Sequence, residues 1–444
     1  MKNKKLILIE LNEINFDKIK YYSEKYNLKN IKKLFSLYNI KTSSEKEYCL
    51  LEPWIQWASA HTGLNAKEHK ILHLGDIQKF KTRQIFEEVE KFGYTVGAIS
   101  PMNTLNNLKK PKYFIPDPWT ETSCDKNNLS NRIKNILSKT VKDNSSLSFS
   151  FSMIVEVLII FFLVVRVKRY FLFLRIFLHS LKKKWFKVIF FDLLINEIHL
   201  NYFKKFKPNF STVFFNGGAH IQHHYFLSSK ALKKSEKKNP KWYIKENDDP
   251  LKDIIKYYDI ILSDYLDMKN TNLIIATALR QVPIKKPEYY WKLKNYENFL
   301  NFFEIPFDRI QQLMSRDFVI HFDFKNKNKI EECFKVLRDI YVVDKDKKTR
   351  AFETIEKREE SIFVSFTFSN ELTKGDYFIS ENKKKKMECL NNVNFVAIKN
   401  GIHNSSGYLF TNIKNFQSKE NMHVKNIFNL IINFFGREDE KNKV

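Results

Sequence analysis

The sequence predicts an α/β fold: a doubly wound, mostly parallel central sheet with helices on both faces, a helical insertion and a small α/β cap. Short apolar runs of strand length alternate with amphipathic stretches of helix length, as expected when crossover helices join parallel strands. The chain has 444 residues, enough to bury a large core. It has only 10 glycines and 11 prolines, which argues against long flexible linkers.

The first strand is predicted at residues 5–11, an apolar run that ends at polar residues. The lysines before it give this end of the sequence a superficial likeness to a signal peptide. The apolar run is too short for one, and Glu10 and Glu13 follow without a small-residue cleavage site. A buried strand is therefore the better interpretation, followed by a loop at 12–17 and a helix toward Phe35.

The same alternation continues along the core. Helices are predicted at 54–64, 82–92 and 251–268, and strands at 94–99, 207–215 and 273–277. Gly63 is expected to close the first of these helices, because glycine adopts the left-handed conformation of a helix end without strain. Ligands of such sheets bind beyond the carboxyl ends of the strands, so the loops that follow the strands are expected to carry the site.

The character of the chain changes between about 145 and 191. Residues 157–165 are purely apolar, but a helix that spans a membrane needs roughly 20 such residues. Aromatic and aliphatic residues then alternate with arginines, and lysines occupy 182–184. Two interpretations stay open for the segment 150–190: docking on an anionic membrane surface, or a helical insertion packed on the core with its cations in water.

A separate α/β pattern occupies 317–379, where alternating strands flank a helix at 329–340, and we interpret it as the cap. The chain then returns to the core with a strand, a loop at 401–407 and a final helix from about Val424. The predicted organisation is a core at 1–125, 201–290 and 386–444, a basic and aromatic helical insertion at 126–200, and a cap at 291–385.

Charge and cysteine usage argue against a nucleic-acid-binding protein and against a disulfide-rich protein. The formal net charge is +26, but the lysines are scattered and no nucleic-acid-binding module is visible, so we expect no nucleic-acid partner. The 4 cysteines include no closely spaced pair, which argues against a disulfide framework and fits a reducing compartment. We expect a cytoplasmic protein, with peripheral attachment at the inner membrane surface as an open alternative.

Several segments carry a resemblance to a known family. Residues 6–13 read LILIELNE, 52–63 read EPWIQWASAHTG, 216–225 read NGGAHIQHHY, 274–281 read IIATALRQ, and 401–404 read GIHN. In this order they resemble the signature loops of the alkaline-phosphatase-like superfamily, of the type I phosphodiesterase/nucleotide pyrophosphatase kind. The resemblance covers about two thirds of the chain and leaves out 145–200. It implies phosphoester hydrolysis with two metal ions and a hydroxyl nucleophile.

Most positions that the family uses for this chemistry are altered. The nucleophile position is Pro53, a family histidine position is Leu279, and the positions of three metal-binding aspartates are Asn12, Ala219 and Ala278. Alanine, leucine and proline offer neither a metal ligand nor a nucleophile, so the resemblance does not imply the usual two-zinc site here. His223 and His403 remain, and in the family both positions serve the same metal.

The polar residues of these loops are the candidate site. Glu52, His61 and His220 are the candidate catalytic residues; Trp54, Gln56, Gln222, Gln281 and Asn404 the candidate substrate-binding residues; His223, His403 and, more weakly, Asn12 the candidate metal ligands. Two histidines with a carboxylate, such as Glu52 or Glu13, are suited to a single divalent ion, zinc or manganese. The alternatives are a pocket that binds without catalysis, and loop histidines that only satisfy backbone groups.

The leading hypothesis is a phosphodiesterase-like hydrolase with a remodelled site. The resemblance implies that its substrate is a small anionic ester, a phosphate or sulfate of a glycan, nucleotide or lipid precursor. The first alternative is a non-catalytic member of the superfamily that binds such a ligand or a partner protein. For the hydrolase and for this alternative, attachment at the membrane surface stays open. The second is a peripheral membrane scaffold built around 150–190.

Overall fold

The computed structural model describes residues 4–142, 151–232, 238–313, 316–323, 326–413 and 421–436. The chain divides into two compact units. The first contains Met1–Glu236, Pro240–Pro283 and Gly401–Val444, and the second contains Lys237–Asn239 and Ile284–Asn400.

The first unit alternates strands and helices. Its strands are β1 (Leu6–Leu11), β2 (Tyr38–Ser43), β3 (Val96–Ile99), β4 (Tyr113–Ile115), β5 (Phe210–Phe215), β6 (Asn272–Ala276), β17 (Ser406–Thr411) and β18 (Asn421–His423). Its helices are α1 (Phe16–Lys25), α2 (Lys29–Phe35), α3 (Pro53–Thr62), α4 (Ala66–His69), α5 (Ile85–Lys91), α6 (Asn128–Lys142), α7 (Phe151–Val164), α8 (Tyr170–Ser180), α9 (Trp185–Phe206), α10 (Gly217–Tyr225), α11 (Pro250–Leu266) and α15 (Asn426–Gly436).

The eight strands form one sheet in the order β18-β2-β17-β6-β1-β5-β3-β4. Strand β1 lies at its centre and pairs in parallel with β5 and β6, so that Glu10 is opposite Phe214 on one side and Ala276 on the other. Strands β3, β4 and β5 are also parallel, whereas β17 runs antiparallel to β2 and β6. The carboxyl ends of β1, β5 and β6 therefore meet at one edge of the sheet.

Helices cover both faces of this sheet. All six residues of β1 are buried. Because successive side chains of a strand point to opposite faces, Ile7, Ile9 and Leu11 join the core beneath α1, α2, α9 and α11, whereas Leu6 and Leu8 join the core beneath α3, α5 and α15. The predicted doubly wound, mostly parallel α/β fold is confirmed.

Local differences from the predicted elements have physical reasons. The predicted helix toward Phe35 is two helices, because Asn27 between α1 and α2 adopts a positive φ of 49°. The prediction of a loop at 401–407 is wrong: strand pairing continues to Asn404 and resumes at Ser406. The Asn404 side-chain oxygen accepts hydrogen bonds from the Ser406 backbone N–H (3.2 Å) and hydroxyl (2.7 Å), which closes a tight turn.

A buried ion network fixes the turn between α7 and α8. The Arg166 guanidinium donates to Glu197 on α9 (2.8 Å) and to Asp264 on α11 (2.8 Å), and Arg169 donates to Asp264 (3.0 Å). The side chains of Glu197 and Asp264 are 0% and 7% exposed.

No helix within the described residues is long and apolar enough to cross a bilayer.

The second unit is also α/β. The chain enters it along β7 (Arg280–Leu293) and leaves it along β16 (Val393–Asn404), two strands that pair as a ribbon. One four-stranded sheet contains β11 (Lys347–Arg350), β10 (Ile340–Asp344), β14 (Tyr377–Ser380) and β15 (Lys385–Glu388), and another contains β12 (Thr354–Arg358), β13 (Ser361–Ser365), β9 (Asp317–His321) and β8 (Arg309–Gln312). Its helices are α12 (Tyr296–Phe302), α13 (Lys327–Arg338) and α14 (Cys389–Asn392).

Candidate metal centre

Glu13 stands at the carboxyl end of β1, in the first unit. Its φ of 58° is unusual for a residue with a side chain, and surrounding hydrogen bonds hold it there. Its backbone N–H donates to the Thr277 carbonyl (3.3 Å), while its carbonyl accepts from the Gln281 backbone N–H (3.0 Å) and the Gln222 amide (2.9 Å). The loops after β1 and β6 and helix α10 therefore fix this residue together.

The Glu13 carboxylate lies between two imidazoles. Its Oε2 is 3.0 Å from Nε2 of His223 on α10 and 3.2 Å from Nε2 of His403 on β16. The two rings have centroids 5.2 Å apart and are inclined at 78°. The Gln281 amide also donates to Oε2 (2.6 Å) and the Asn12 amide to Oε1 (3.0 Å). Residues 210 and 390 positions away along the chain thus converge on one carboxylate.

The charge state of Glu13 follows from these contacts. Burial by itself would raise the pKa of this carboxyl, but the charges of His223 and His403 and their hydrogen bonds outweigh burial and hold the pKa well below its ordinary value of 4.5. The carboxylate is therefore ionised at neutral pH. It contributes stability above the ordinary carboxyl pKa, and that contribution is lost as the pH falls toward the folded-state value.

A close approach of strands brings His403 to this carboxylate. Gly401 lies two residues earlier on β16, and a Cβ at this position would be 2.1 Å from Oε1 of Gln281 and 3.2 Å from the Gln222 carbonyl. A larger residue at 401 would push β16 away from α10 and from the start of β7. The glycine that suggests a loop in the sequence therefore serves close packing beside the site.

The cluster is accessible from one side. The Glu13 side chain is 2% exposed and His403 11%, whereas His223 is 32% exposed. Glu52, which precedes α3, is 33% exposed, and its Oε2 lies 3.7 Å from Nδ1 of His403. A buried anion thus lies beneath two imidazoles, with a second, more exposed carboxylate beside one of them.

The donor set fits a single divalent metal ion. Glu13, His223 and His403 each offer one ligand atom, and these atoms lie within 4.8 Å of one another. Tetrahedral zinc with bonds of about 2.0–2.1 Å separates its ligand atoms by about 3.3 Å, close to the 3.0 and 3.2 Å between Glu13 and the histidines. Ligands of a metal ion are usually oriented by hydrogen bonds from neighbouring residues. Gln281 makes such a contact with Glu13, and Glu52 lies beside Nδ1 of His403.

The remaining predicted metal ligand, Asn12, is fully engaged. Its amide donates to Glu13 (3.0 Å) and to Asn216 (2.8 Å), and its oxygen accepts from the Trp57 indole (2.9 Å). Asn12 therefore supports the Glu13 carboxylate. The sequence left Glu13 and Glu52 as alternative carboxylates for the metal, and the position of Glu13 directly after a buried strand is a signal that could have favoured it.

Of two predicted catalytic histidines, His61 is fully buried and His220 is partly buried. Nε2 of His61 lies 3.1 Å from Glu10 and its Nδ1 3.0 Å from the Thr104 hydroxyl, so both ring nitrogens have partners. Burial, with a smaller effect of the His223 charge, lowers the pKa of His220 to about 4. His220 is therefore neutral at physiological pH, and its ring lies 4.5 Å from that of His224.

The predicted substrate-binding residues divide into two groups. Gln222 and Gln281 are buried and hold the Glu13 backbone and side chain, as described above. Trp54 and Gln56 donate instead to the carbonyls of Leu72 (3.1 Å) and Leu50 (2.8 Å). The remaining one, Asn404, closes the turn between β16 and β17 and also accepts from Arg280 (3.3 Å).

Three positions that the resemblance compares with a nucleophile and two metal-binding aspartates are buried. Pro53 is buried at the first turn of α3, and Ala219 and Ala278 are 2% and 1% exposed. Ala278 adopts a positive φ of 56° in the loop after β6. Proline and alanine side chains supply no hydroxyl and no carboxylate.

Asp192 is another buried carboxylate, on α9 beside the start of α10. It accepts hydrogen bonds from Tyr258 (2.7 Å) and from the Gly217 backbone N–H (3.0 Å), yet burial dominates and raises its pKa from 3.8 to about 7. Between these values the folded chain keeps a proton that the unfolded chain has released. Asp192 therefore stabilises the folded state in acid, and this contribution is lost as the pH rises toward about 7.

Asp192→Asn is expected to remove this pH dependence, because asparagine keeps the shape without the charge. The stability of the variant relative to the wild type should rise with pH by about 1.4 kcal/mol per pH unit within that window. Urea unfolding at a series of pH values measures it, with exposed Asp267→Asn as control. Parallel stability curves for wild type and Asp192→Asn would contradict the protonation state assigned to Asp192.

Fold and geometry together define an α/β protein with a glutamate–bis-histidine cluster at the carboxyl edge of its central sheet. No family model matches the sequence, and no curated protein matches it either.

Solved structures provide wider comparisons. Phosphonoacetate hydrolase from Sinorhizobium meliloti 1021 is similar over 98% of this chain and 96% of that one, with 8% identity and a TM-score of 0.44. Murine and human ectonucleotide pyrophosphatase/phosphodiesterase 5 are similar over 98% of this chain and 95% of theirs, with 12% and 13% identity and TM-scores of 0.42.

Proposed function

We propose that this protein is a hydrolase of anionic esters that uses one divalent metal ion, zinc or manganese, held by Glu13, His223 and His403. The observation that carries the proposal is the cluster itself: an ionised buried carboxylate 3.0 and 3.2 Å from two imidazole nitrogens, with His223 32% exposed. Two imidazoles and one carboxylate form a common ligand set of catalytic zinc, which leaves a position open for water or substrate.

A metal ion bound there would supply a Lewis acid and lower the pKa of water, so that no hydroxyl side chain is needed as nucleophile. The negative charge of Glu13 anchors the cation, and Gln281 and Asn12 keep its carboxylate from rotating. Each histidine has to present Nε2 without a proton. Binding is therefore expected to release protons and to weaken in acid.

Glu52 is the candidate general base. Its Oε2 lies 3.7 Å from Nδ1 of His403 and its side chain is 33% exposed, so a solvent-accessible carboxylate stands beside one of the proposed ligands. His61 has both ring nitrogens occupied, and His220 is neutral, which makes Glu52 the better supported of the three predicted catalytic residues.

The substrate class follows from charge. A cation held by two imidazoles favours the binding of an anionic group. Helix α3 begins directly after Glu52, so its positively polarised N-terminus lies near His403 as well. We therefore propose a phosphate or sulfate ester of a glycan, nucleotide or lipid precursor as substrate. The buried alanines at 219 and 278 favour a second candidate, a non-catalytic protein that binds such a ligand.

Metal binding and hydrolysis test these candidates together. The metal-stripped full chain is titrated with zinc and manganese, and cleavage of p-nitrophenyl phosphate, bis-p-nitrophenyl phosphate and p-nitrophenyl sulfate is then followed. We expect one metal ion per chain, lost in His223→Ala and His403→Ala, and a hydrolytic rate that falls with it. His73→Ala, at an exposed histidine, serves as the control.

The outcomes separate the two functions. Stoichiometric metal with cleavage of one ester class supports the hydrolase and identifies the class. Metal or ligand binding without cleavage of any of the esters favours the binding protein. If no metal binds to the folded wild type, the proposed hydrolase mechanism is wrong.

A further inference from the structure

Helices α7 and α8 and the turn between them expose an unusual number of large apolar side chains. Each of the following is at least 38% exposed: Ile154, Val155, Leu158, Phe162, Leu163, Val167, Phe171, Leu174, Phe177, Leu178 and Leu181. Single exposed apolar residues are ordinary on a protein surface, but a run of them on consecutive helices marks an interaction site. We call these eleven residues the apolar face.

The apolar face follows helical periodicity. On α8 and at the residue that follows it, Phe171, Leu174, Leu178 and Leu181 recur at intervals of three and four residues and are 53–78% exposed. Phe173 and Ile176 point the other way, into the core, and are 2% and 0% exposed. The helix therefore has an apolar side toward the core and a second apolar side toward solvent.

The same holds for α7, where Met153, Ile160 and Val164 are buried and Val155, Leu158 and Phe162 recur on the exposed side. The two helices meet through aromatic contacts, with the ring of Phe162 5.9 Å from that of Tyr170. The apolar face thus continues from the end of α7 across the turn to the start of α8.

Cations surround the apolar face. Residues 151–191 contain eight lysines and arginines but a single carboxylate, Glu156. Arg166 and Arg169 are used in the buried ion network, whereas Lys168, Arg175, Lys182 and Lys184 are exposed. This combination of exposed apolar side chains and exposed cations is complementary to a surface of anionic lipid headgroups, which takes apolar groups between its acyl chains.

The turn that presents the apolar face is fixed to the body of the unit. Arg166 bonds to Glu197 and Asp264 through its side chain, and its backbone N–H also donates to Glu197 (3.0 Å). Lys183, after α8, bonds to Asp248 (2.6 Å). The apolar face is therefore held in place rather than able to fold back onto the core.

We propose that the apolar face and its surrounding lysines and arginines form a docking surface for an anionic membrane, which the first unit contacts without crossing. The described α7 has 14 residues and is about 21 Å long, shorter than the roughly 30 Å of hydrocarbon in a bilayer. α7 and α8 lie in the interface, with apolar side chains among the acyl chains and Lys168, Arg175, Lys182 and Lys184 at the phosphates.

Vesicle flotation of the full chain tests the proposal. We expect binding to vesicles of phosphatidylcholine with phosphatidylglycerol at least about tenfold tighter than to phosphatidylcholine alone. Phe171→Ser/Leu174→Ser/Leu178→Ser should weaken binding at least about tenfold by removing apolar contact. Lys182→Glu/Lys184→Glu should weaken it about tenfold at low salt and progressively less as salt screens the lipid charge.

Matched controls and an independent readout complete the test. Tyr48→Ser and Lys46→Glu change an exposed aromatic residue and an exposed lysine elsewhere, and should bind vesicles as the wild type does. The circular dichroism and melting temperature of each variant verify folding. Equal binding of wild type and both α8 variants would overturn the proposal. So would a dimer in light scattering that the serine variant converts to a monomer while the wild type ignores vesicles.

Discussion

Glu13→Gln is expected to abolish stoichiometric metal binding while leaving the chain folded. Glutamine fills the same volume at this 2% exposed position, but its amide carries no charge and is a weak ligand for a cation. Loss of a residue that merely orients a ligand lowers metal affinity about 10- to 100-fold, so loss of the anionic ligand itself should lower it by about 100-fold or more. Isothermal titration with zinc and manganese gives the dissociation constants.

Glu52→Gln is the matched comparison, because it makes the same chemical change at a carboxylate that contacts His403 through Nδ1 (3.7 Å) instead of Nε2. We expect a loss of affinity of about tenfold or less, together with a larger loss of hydrolytic rate if Glu52 is the base. A greater loss of affinity in Glu52→Gln than in Glu13→Gln would reverse the assignment of the two carboxylates. Circular dichroism distinguishes both results from unfolding.

Arg166→Leu is expected to destabilise the first unit by about 3 kcal/mol. The substitution leaves Glu197 and Asp264 buried with Arg169 as their remaining cation, and removing one partner of a buried ion pair typically costs about 3–5 kcal/mol. Burial alone would raise the pKa of Asp264, but the hydrogen bond from Arg166 and the charges of both arginines lower it. The network therefore holds an ionised carboxylate in the core.

Arg132→Leu provides the control for this prediction. It removes an Arg–Glu pair on neighbouring elements, with Glu156 of α7 as partner, but the two side chains are 38% and 42% exposed. An exposed pair contributes about 1 kcal/mol or less, so urea unfolding should separate the two variants clearly. Equal destabilisation of both would mean that burial of Glu197 and Asp264 is not what makes the network stabilising.

The elements of the core could be predicted because their signals are local. The apolar run that became β1, the helix closed by Gly63 and the runs that became β5 and β6 each carry their own period or terminator. The loop predicted at 401–407 failed for the opposite reason. Its residues form strands through pairing with β2, β6 and β7, which lie far away in the sequence, and Gly401 is there to allow a close approach.

By itself the sequence determined the α/β alternation and the residues of the segments that resemble the signature loops, with Pro53, Ala219 and Ala278 beside His223 and His403. Only the tertiary structure decided that Glu13, rather than Glu52, lies between the two imidazoles, and that His61 is paired with Glu10 in the core. The reason is geometric. Composition and order set which groups exist, but the direction of a side chain depends on backbone angles and on the packing of distant elements, which no local pattern records.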